Sequence, residues 1–323
     1  MKASVLALSG GVGGAKLALG LSTLLAPDEL TIVANTGDDF EHFGLPISPD
    51  LDTVMYTLAG IANPEQGWGI ANESWAAMEM LASLGGETWF RLGDRDLATH
   101  LVRGQWLRSG KPLAAVTEHL CHRLGIRHRL LPMSNDPVRT MVATESGEMP
   151  FQQYFVHERC GPAVKGFRFA GSDRARPDPL FIERLRSPDL TATVICPSNP
   201  FVSVAPMLQL PGVEAALRAS GAPVVAVSPI VAEQAIKGPT AKMMAELNMP
   251  VTATAVATHY GNLLSGFVID ESDRDQADGI RALGIAVMVA PTVMHAREEK
   301  IELAQRVLEF VAALSTRPAP CMR

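Results

Sequence analysis

Residues 3–16 read Ala3-Ser4-Val5-Leu6-Ala7-Leu8-Ser9-Gly10-Gly11-Val12-Gly13-Gly14-Ala15-Lys16, a short apolar run followed by a turn with four glycines. The run predicts a strand at Ser4–Ser9. It is too short for a secretory h-region and ends in Gly-Gly, with no small-residue cleavage site behind it. Leu17, Leu21, Leu24 and Leu25 follow at helical spacing and Pro27 closes the pattern, so a helix is expected over Ala15–Leu25. A second apolar run predicts a strand at Leu30–Asn35. Strand, glycine turn, helix and strand make a βαβ unit, which places the two strands parallel.

Further buried-strand patterns rich in Val, Ala and Ile are expected at Thr191–Cys196, Pro223–Val227, Val251–Val256, Gly266–Ile269 and Ile285–Val289. A last helix is expected at Arg297–Leu314. From residue 50 to about 125 the apolar pattern is helical throughout, far longer than a crossover requires. Two β-prone runs, Met141–Thr144 and Phe151–Val156, flank a turn at Glu145-Ser146-Gly147-Glu148 and predict a β-hairpin. The expected fold is α/β, a Rossmann-like doubly wound, mainly parallel sheet with a helical insertion and a hairpin. Residues 1–49 and 190–323 would form the nucleotide-binding core and residues 50–189 a lid. The tail 315–323, with two prolines, reads as frayed.

Composition narrows the function. The chain has 323 residues, a net charge of -6, 19% charged and 6% aromatic residues, and no apolar run near the length of a membrane span. A nucleic-acid groove needs a positive field and stacking rings, so none is expected. Cys121, Cys160, Cys196 and Cys321 are scattered without zinc or disulfide spacing, which fits a reducing, cytoplasmic setting. The histidines form no HExxH, and no Gly-x-Ser-x-Gly elbow is present.

The glycine turn opens a helix, so its backbone N–H groups can cradle a phosphate or simply form a tight strand-to-helix turn. It is no Walker A loop, because Lys16 is followed by Leu17, and its glycines do not fall in the dinucleotide pattern. Asn35-Thr36-Gly37-Asp38-Asp39 ends the second strand, where ligands of doubly wound sheets collect. Its paired acids suit a ribose hydroxyl, a metal, or a solvated Asx turn. Ser48-Pro49-Asp50-Leu51-Asp52-Thr53 sets two carboxylates before a helix, either for Mg2+ or as ordinary capping. Arg91 and Arg95 within residues 89–96 suit diphosphate oxygens or a salt-bridge cluster. Cys196-Pro197-Ser198-Asn199-Pro200, Ser228-Pro229-Ile230 and Lys237–Lys242 repeat the theme of polar or small residues at strand ends and helix starts.

SGGVGGAKL (9–17), VANTGDD (33–39), ISPDLDTVMYTLAG (47–60), WFRLGDRDLATHL (89–101), LPMSNDPV (131–138), PSNPFVSVAPML (197–208) and AVSPIVAEQAIKGPTAKMM (226–244) occur in this order. Together they closely resemble the 2-phospho-L-lactate transferases of coenzyme F420 biosynthesis, the CofD-type family, over essentially the whole chain. The resemblance implies a guanylyl-diphospho donor carrying a lactyl, enolpyruvyl or glyceryl acid. The ribityl hydroxyl of 7,8-didemethyl-8-hydroxy-5-deazariboflavin (FO) would attack the phosphorus nearer the acid, and GMP would leave.

Asp52 and Arg91 match the family's deazaflavin-binding positions, and Asp50 is the candidate for holding Mg2+ or orienting the hydroxyl. Gly10, Gly11, Gly13 and Gly14 are expected along the diphosphate, and Asn35, Ser198 and Asn199 near the guanosine. Some family members carry Thr or Pro in the loop, so only a backbone cradle carries over here. A homodimer is compatible with the resemblance. Because Asp38, Asp39, Asp50, Asp52 and Asp94 surround the proposed diphosphate site, Mg2+ dependence is expected. The alternatives are a nucleotide-sugar-binding regulator of the gluconeogenesis-factor type and an NAD(P)-dependent oxidoreductase. The SPDLDT and WFRLGDRD segments speak against the first, and the irregular loop against the second.

Overall fold

The computed structural model describes residues 3–315. Residues 316–323, with Cys321 and most of the tail expected to fray, lie outside that range. The chain begins with β1 (Val5–Ser9), α1 (Gly11–Leu24) and β2 (Leu30–Ala34). All ten residues of the two strands are buried, as the alternation-free apolar runs require of a sheet covered on both faces.

α1 starts earlier than its leucines indicate, at Gly11, so the glycine turn is the first turn of the helix. Gly11 adopts φ +64, a left-handed value that suits glycine. Gly13 and Gly14 act by lacking a side chain. A Cβ on Gly13 would run into the Pro197 carbonyl, and one on Gly14 would lie 2.6 Å from Ser9 Oγ and 2.7 Å from Ser198 Oγ. The helix can therefore press its N-terminus against the strand ends.

The main sheet has seven strands in the order Ala286–Val289, Gly266–Ile269, Val224–Val227, Ala192–Ile195, β1, β2, Arg129–Pro132. Every neighbouring pair is parallel. β1 lies between its sequence neighbour β2 and a strand from the distant second half, with Leu8 opposite both Val33 and Ile195. The strand order reverses there, and a crevice opens beyond the carboxyl ends of β1 and Ala192–Ile195. Ser9 leads into the glycine turn and Ile195 into Cys196-Pro197-Ser198, so both segments meet at this switch point.

Three expectations change. Arg129–Pro132 comes from within the 50–189 span yet pairs with β2 as an edge strand of the main sheet, so that span is not wholly separate from the core. Residues 251–256 do not form a strand. Thr252 accepts from the Ala255 N–H at 3.1 Å and starts a helix, Ala253–Tyr260, because a threonine cap before an alanine-rich run favours helix over sheet. The hairpin pairs Arg139–Thr144 with Gly147–Pro150, and Val164–Ala170 adds a third antiparallel strand. Phe151–Val156 is not its second strand. It runs into a helical turn at Gln153–His157 that stacks Phe151 on Phe155, four residues apart, at 5.4 Å.

The helical insertion comprises α2 (Pro49–Leu58), α3 (Ala76–Ser83), α4 (Asp94–Arg108) and α5 (Leu113–Arg123). α2 packs on α1, and the C-terminal helix Arg297–Ser315 packs on α1 as well. Gly20 allows that approach, since a Cβ there would strike the Lys300 carbonyl. Among the described residues no helix is long and apolar enough to cross a membrane.

Candidate active site

A cavity of about 630 Å3 opens at the switch point, large enough for a nucleotide-sized ligand. Its walls come from the start of α1, the start of α2, the 197–199 turn, the segment 89–91 of the insertion and the 228–240 loop. Gly10, Gly11, Gly13, Asp50, Asp52, Arg91, Ser198 and Asn199 all reach it. Gly14 and Asn35 do not. Gly14 is wedged between Ser9 and Ser198, and Asn35 lies fully buried behind the wall.

The way Pro49 opens α2 decides the geometry around Asp50. The Asp50 carboxylate accepts from the Gly11 N–H at 2.7 Å and from Asn35 Nδ2 at 3.0 Å. Asn35 Nδ2 also lies 3.3 Å from the Val202 carbonyl, and its Oδ1 accepts from the Gly37 N–H at 2.8 Å. The Gly10 N–H donates to Ser198 Oγ at 3.0 Å. Two of the turn's N–H groups are thus engaged within the protein. Those of Val12 and Gly13, in the first turn of α1, have no partner within the helix and stand on the cavity wall. Asn199 caps the turn that follows it, accepting from Phe201 and Val202 N–H.

The floor is acidic. Asp38 lines the cavity, its Oδ1 is buried without a hydrogen-bond partner, and burial, then Asp50 and Asp39, push it well above the usual carboxylate range. Asp39, held by the Ser48 hydroxyl at 2.8 Å, is pushed up to about 7 by burial against the opposing pull of Arg139. Asp50 is also raised by burial, with the Asn35 and Gly11 bonds opposing. Among the described residues no cluster of three or more His, Cys, Asp or Glu side chains could hold a metal. Mg2+, however, is usually bound by one or two carboxylates together with substrate phosphates. The Asp38–Asp50 pair, with one orphaned oxygen, fits an ion held in that way.

The opposite wall is built by α2 and α4. Asp52 and Tyr56 stand one turn apart on α2; Asp96, His100 and Arg103 share one face of α4. Both Nη groups of Arg103 donate to the Asp52 carboxylate, one at 2.9 Å. Burial works against the Arg103 charge, and Asp52 outweighs it, raising the guanidinium further. Tyr56 donates its hydroxyl to Asp96 at 2.6 Å. Arg91 lies over the Trp75 ring, 4.1 Å from its centroid, and is exposed on the cavity side. Trp68, Trp89, Phe90 and Phe155 complete an aromatic rim. Lys16, donating to the Met294 carbonyl at 2.6 Å, and Lys237 supply positive charge at the mouth; burial, then Lys300 and Lys237, lower Lys16.

Sequence reasoning did not single out Tyr56, Trp68, Asp96, His100 or Arg103. The i, i+4, i+7 spacing of Asp96, His100 and Arg103 is the one signal that could have grouped three of them, since it places three polar residues on one helical face.

The sequence profile of the family described as "2-phospho-L-lactate transferase CofD" matches residues 5–299. The chain belongs to the CofD family. Membership brings the expected class of activity with it, phospholactyl-type transfer in coenzyme F420 biosynthesis. The chain is 43% identical over 312 residues to a "Phosphoenolpyruvate transferase" of Streptomyces griseus, covering 95% of this chain and 98% of that one. It is 40% identical to a protein of the same name from Mycolicibacterium smegmatis, covering 90% and 94%. A crystal structure of a UPF0052 family member from Bacillus halodurans superposes with a TM-score of 0.61 at 17% identity, over 95% of this chain and 99% of that one. That likeness is one of fold.

Proposed function

We propose that this CofD protein transfers a phospho-acid group from a guanylyl-diphospho donor to the ribityl hydroxyl of FO. The hydroxyl oxygen forms its bond to the phosphorus nearer the acid and its proton passes to solvent, while the bridge to guanylate breaks and GMP leaves with the bridging oxygen and its electron pair. The names of the relatives favour the phosphoenolpyruvyl donor. The observation that carries the reading is a single cavity in which a helix N-terminus and the Asp38–Asp50 pair face a wall of Asp52, Arg91 and aromatic rings.

In this reading the free N–H groups of Val12 and Gly13 bind the diphosphate, helped by the partial positive charge of the helix end. Lys16 and Lys237 add charge at the mouth, and Ser198 and Asn199 border the nucleotide. Asp52 and Arg91 hold the acceptor, while the aromatic rim excludes water around its flat ring. Mg2+, held by Asp38 and Asp50, would neutralise diphosphate charge that the acidic floor otherwise repels. The protein contributes positioning and electrostatics to an in-line displacement. A cytoplasmic location and a homodimer accompany this proposal.

The test is to incubate the protein with FO, Mg2+ and each of the enolpyruvyl, lactyl and glyceryl donors, and to follow adduct and GMP by mass. The enolpyruvyl donor should give the largest yield of adduct. No adduct from any donor would remove the proposal, and tight UDP-sugar binding in its place would favour the regulator. Asp50→Asn should depress turnover and shift its Mg2+ dependence; no change in either would free Asp50 of that role.

A further inference from the structure

We infer that Arg103, which does not itself reach the cavity, is a positioning residue for acceptor binding, acting through Asp52. The inference rests on the proposed acceptor site. Arg103 is 1% exposed, and its guanidinium approaches Asp52 from the side away from the cavity. Two parallel N–H donors to two carboxylate oxygens fix the plane of the carboxylate, which a single bond would leave free to rotate. Asp52 is held from behind while its front edge stands on the cavity wall. Each carboxylate oxygen retains a further lone pair to accept a ligand hydroxyl.

Arg103 Nη1 also approaches His100 Nδ1 at 3.1 Å. A guanidinium can only donate, so Nδ1 must accept and the ring proton of this tautomer sits on Nε2. His100 is 1% exposed and its ring lines the cavity, while its Nε2 is itself buried and faces Asp96 Oδ1 at 3.2 Å. One guanidinium thus fixes the Asp52 carboxylate and, beside it, the ring of His100, whose Nδ1 lies 3.8 Å from Asp52 Oδ2. A hydroxyl, which donates, is a group that the fixed carboxylate edge of Asp52 on the cavity wall recognises. The wall is suited to the polyhydroxyl chain of the acceptor, whereas the donor's diphosphate would be repelled by Asp52.

The test compares Arg103→Met, Arg103→Lys, Asp52→Asn and the Arg103→Met/Asp52→Asn double variant. The double variant removes both charges together and leaves neither buried alone, so it provides a folded protein if the single variants fail to fold. Acceptor affinity is read from deazaflavin fluorescence without any donor, and KM for each substrate is measured separately. Arg103→Met should raise the acceptor Kd and KM by about tenfold or more while the donor KM moves less than about twofold. Arg103→Lys, which keeps the charge but loses the fork, should recover part of the loss. Adding Arg103→Met to Asp52→Asn should change acceptor Kd by less than about twofold, because the two act as a unit. A folded Arg103→Met with wild-type acceptor Kd would overturn the inference, as would equal losses for donor and acceptor that track a fall in Tm. Wild-type protein that fails to bind the deazaflavin would overturn the acceptor-site reading and this inference with it.

Discussion

Gly13→Ala tests the claim that α1 must press its first turn onto the strand ends. The new methyl would lie well inside contact distance of the Pro197 carbonyl, which is main chain and cannot rotate away. The 196–199 turn would have to retreat by roughly 1 Å to restore ordinary contact. Overpacking of this kind costs about 1–3 kcal/mol. The same retreat pulls Ser198 Oγ off the Gly10 N–H, and leaving that buried donor unpaired costs about 1–3 kcal/mol more. The expected loss is about 4 kcal/mol, a fall in Tm of roughly 6 °C for a chain of this size. Gly11→Ala is the control: nothing stands within 4 Å of its Cβ, so only the left-handed φ of +64 is strained, at about 1 kcal/mol. Calorimetry and urea titration of both variants give the two values, and the donor KM should rise more for Gly13→Ala than for Gly11→Ala. If Gly13→Ala proves no less stable than Gly11→Ala, the close approach of α1 to the 196–199 turn is wrong.

Gly20→Ala should destabilise by about 1–3 kcal/mol through its collision with the Lys300 carbonyl, with both substrate KM values unchanged in the protein that remains folded; altered KM values would mean that this helix crossing bears on the site. Asn35→Ala removes the donor to Asp50 and Val202 and the acceptor of Gly37 N–H, and should cost about 2–4 kcal/mol in urea titration. Its half-maximal Mg2+ concentration should also shift, and an unchanged midpoint and Mg2+ curve would refute the bracing of Asp50 by Asn35. Burial pushes the Cys121 and Cys196 thiols up to about 12, so the protonated, unreactive form prevails at lower pH. Iodoacetamide at pH 8 should leave both unmodified in native protein and alkylate both in urea, as read by peptide mass; rapid native labelling would contradict their burial.

Much of the site was legible because it is written in local stretches. The glycines before α1, the Pro49-Asp50-Leu51-Asp52 start of α2 and the turn after Ile195 are each contiguous in sequence, and the doubly wound fold predicts that strand ends converge. The roles were less legible than the places. Asn35 and Gly14 lie in segments that approach the cavity, yet one braces Asp50 and the other makes room for Ser9 and Ser198. Telling a cavity-lining group from one behind the wall depends on side-chain direction, which spacing alone does not supply. Likewise Phe151–Val156 has strand-like composition, but burying Phe151 and Tyr154 beside the hairpin favours a helical turn.

What the amino-acid sequence determined by itself is the βαβ start, four of the five later parallel strands expected, the final helix and the family, because each rests on periodicity or on an ordered series of contiguous segments. Only the tertiary structure decided that Arg129–Pro132 joins the main sheet and that Arg103 holds Asp52 from behind. These depend on pairs separated by many residues. A buried charge is tolerated only where folding brings its partner into contact, and nothing in the chain near Arg103 announces that its partner is on α2.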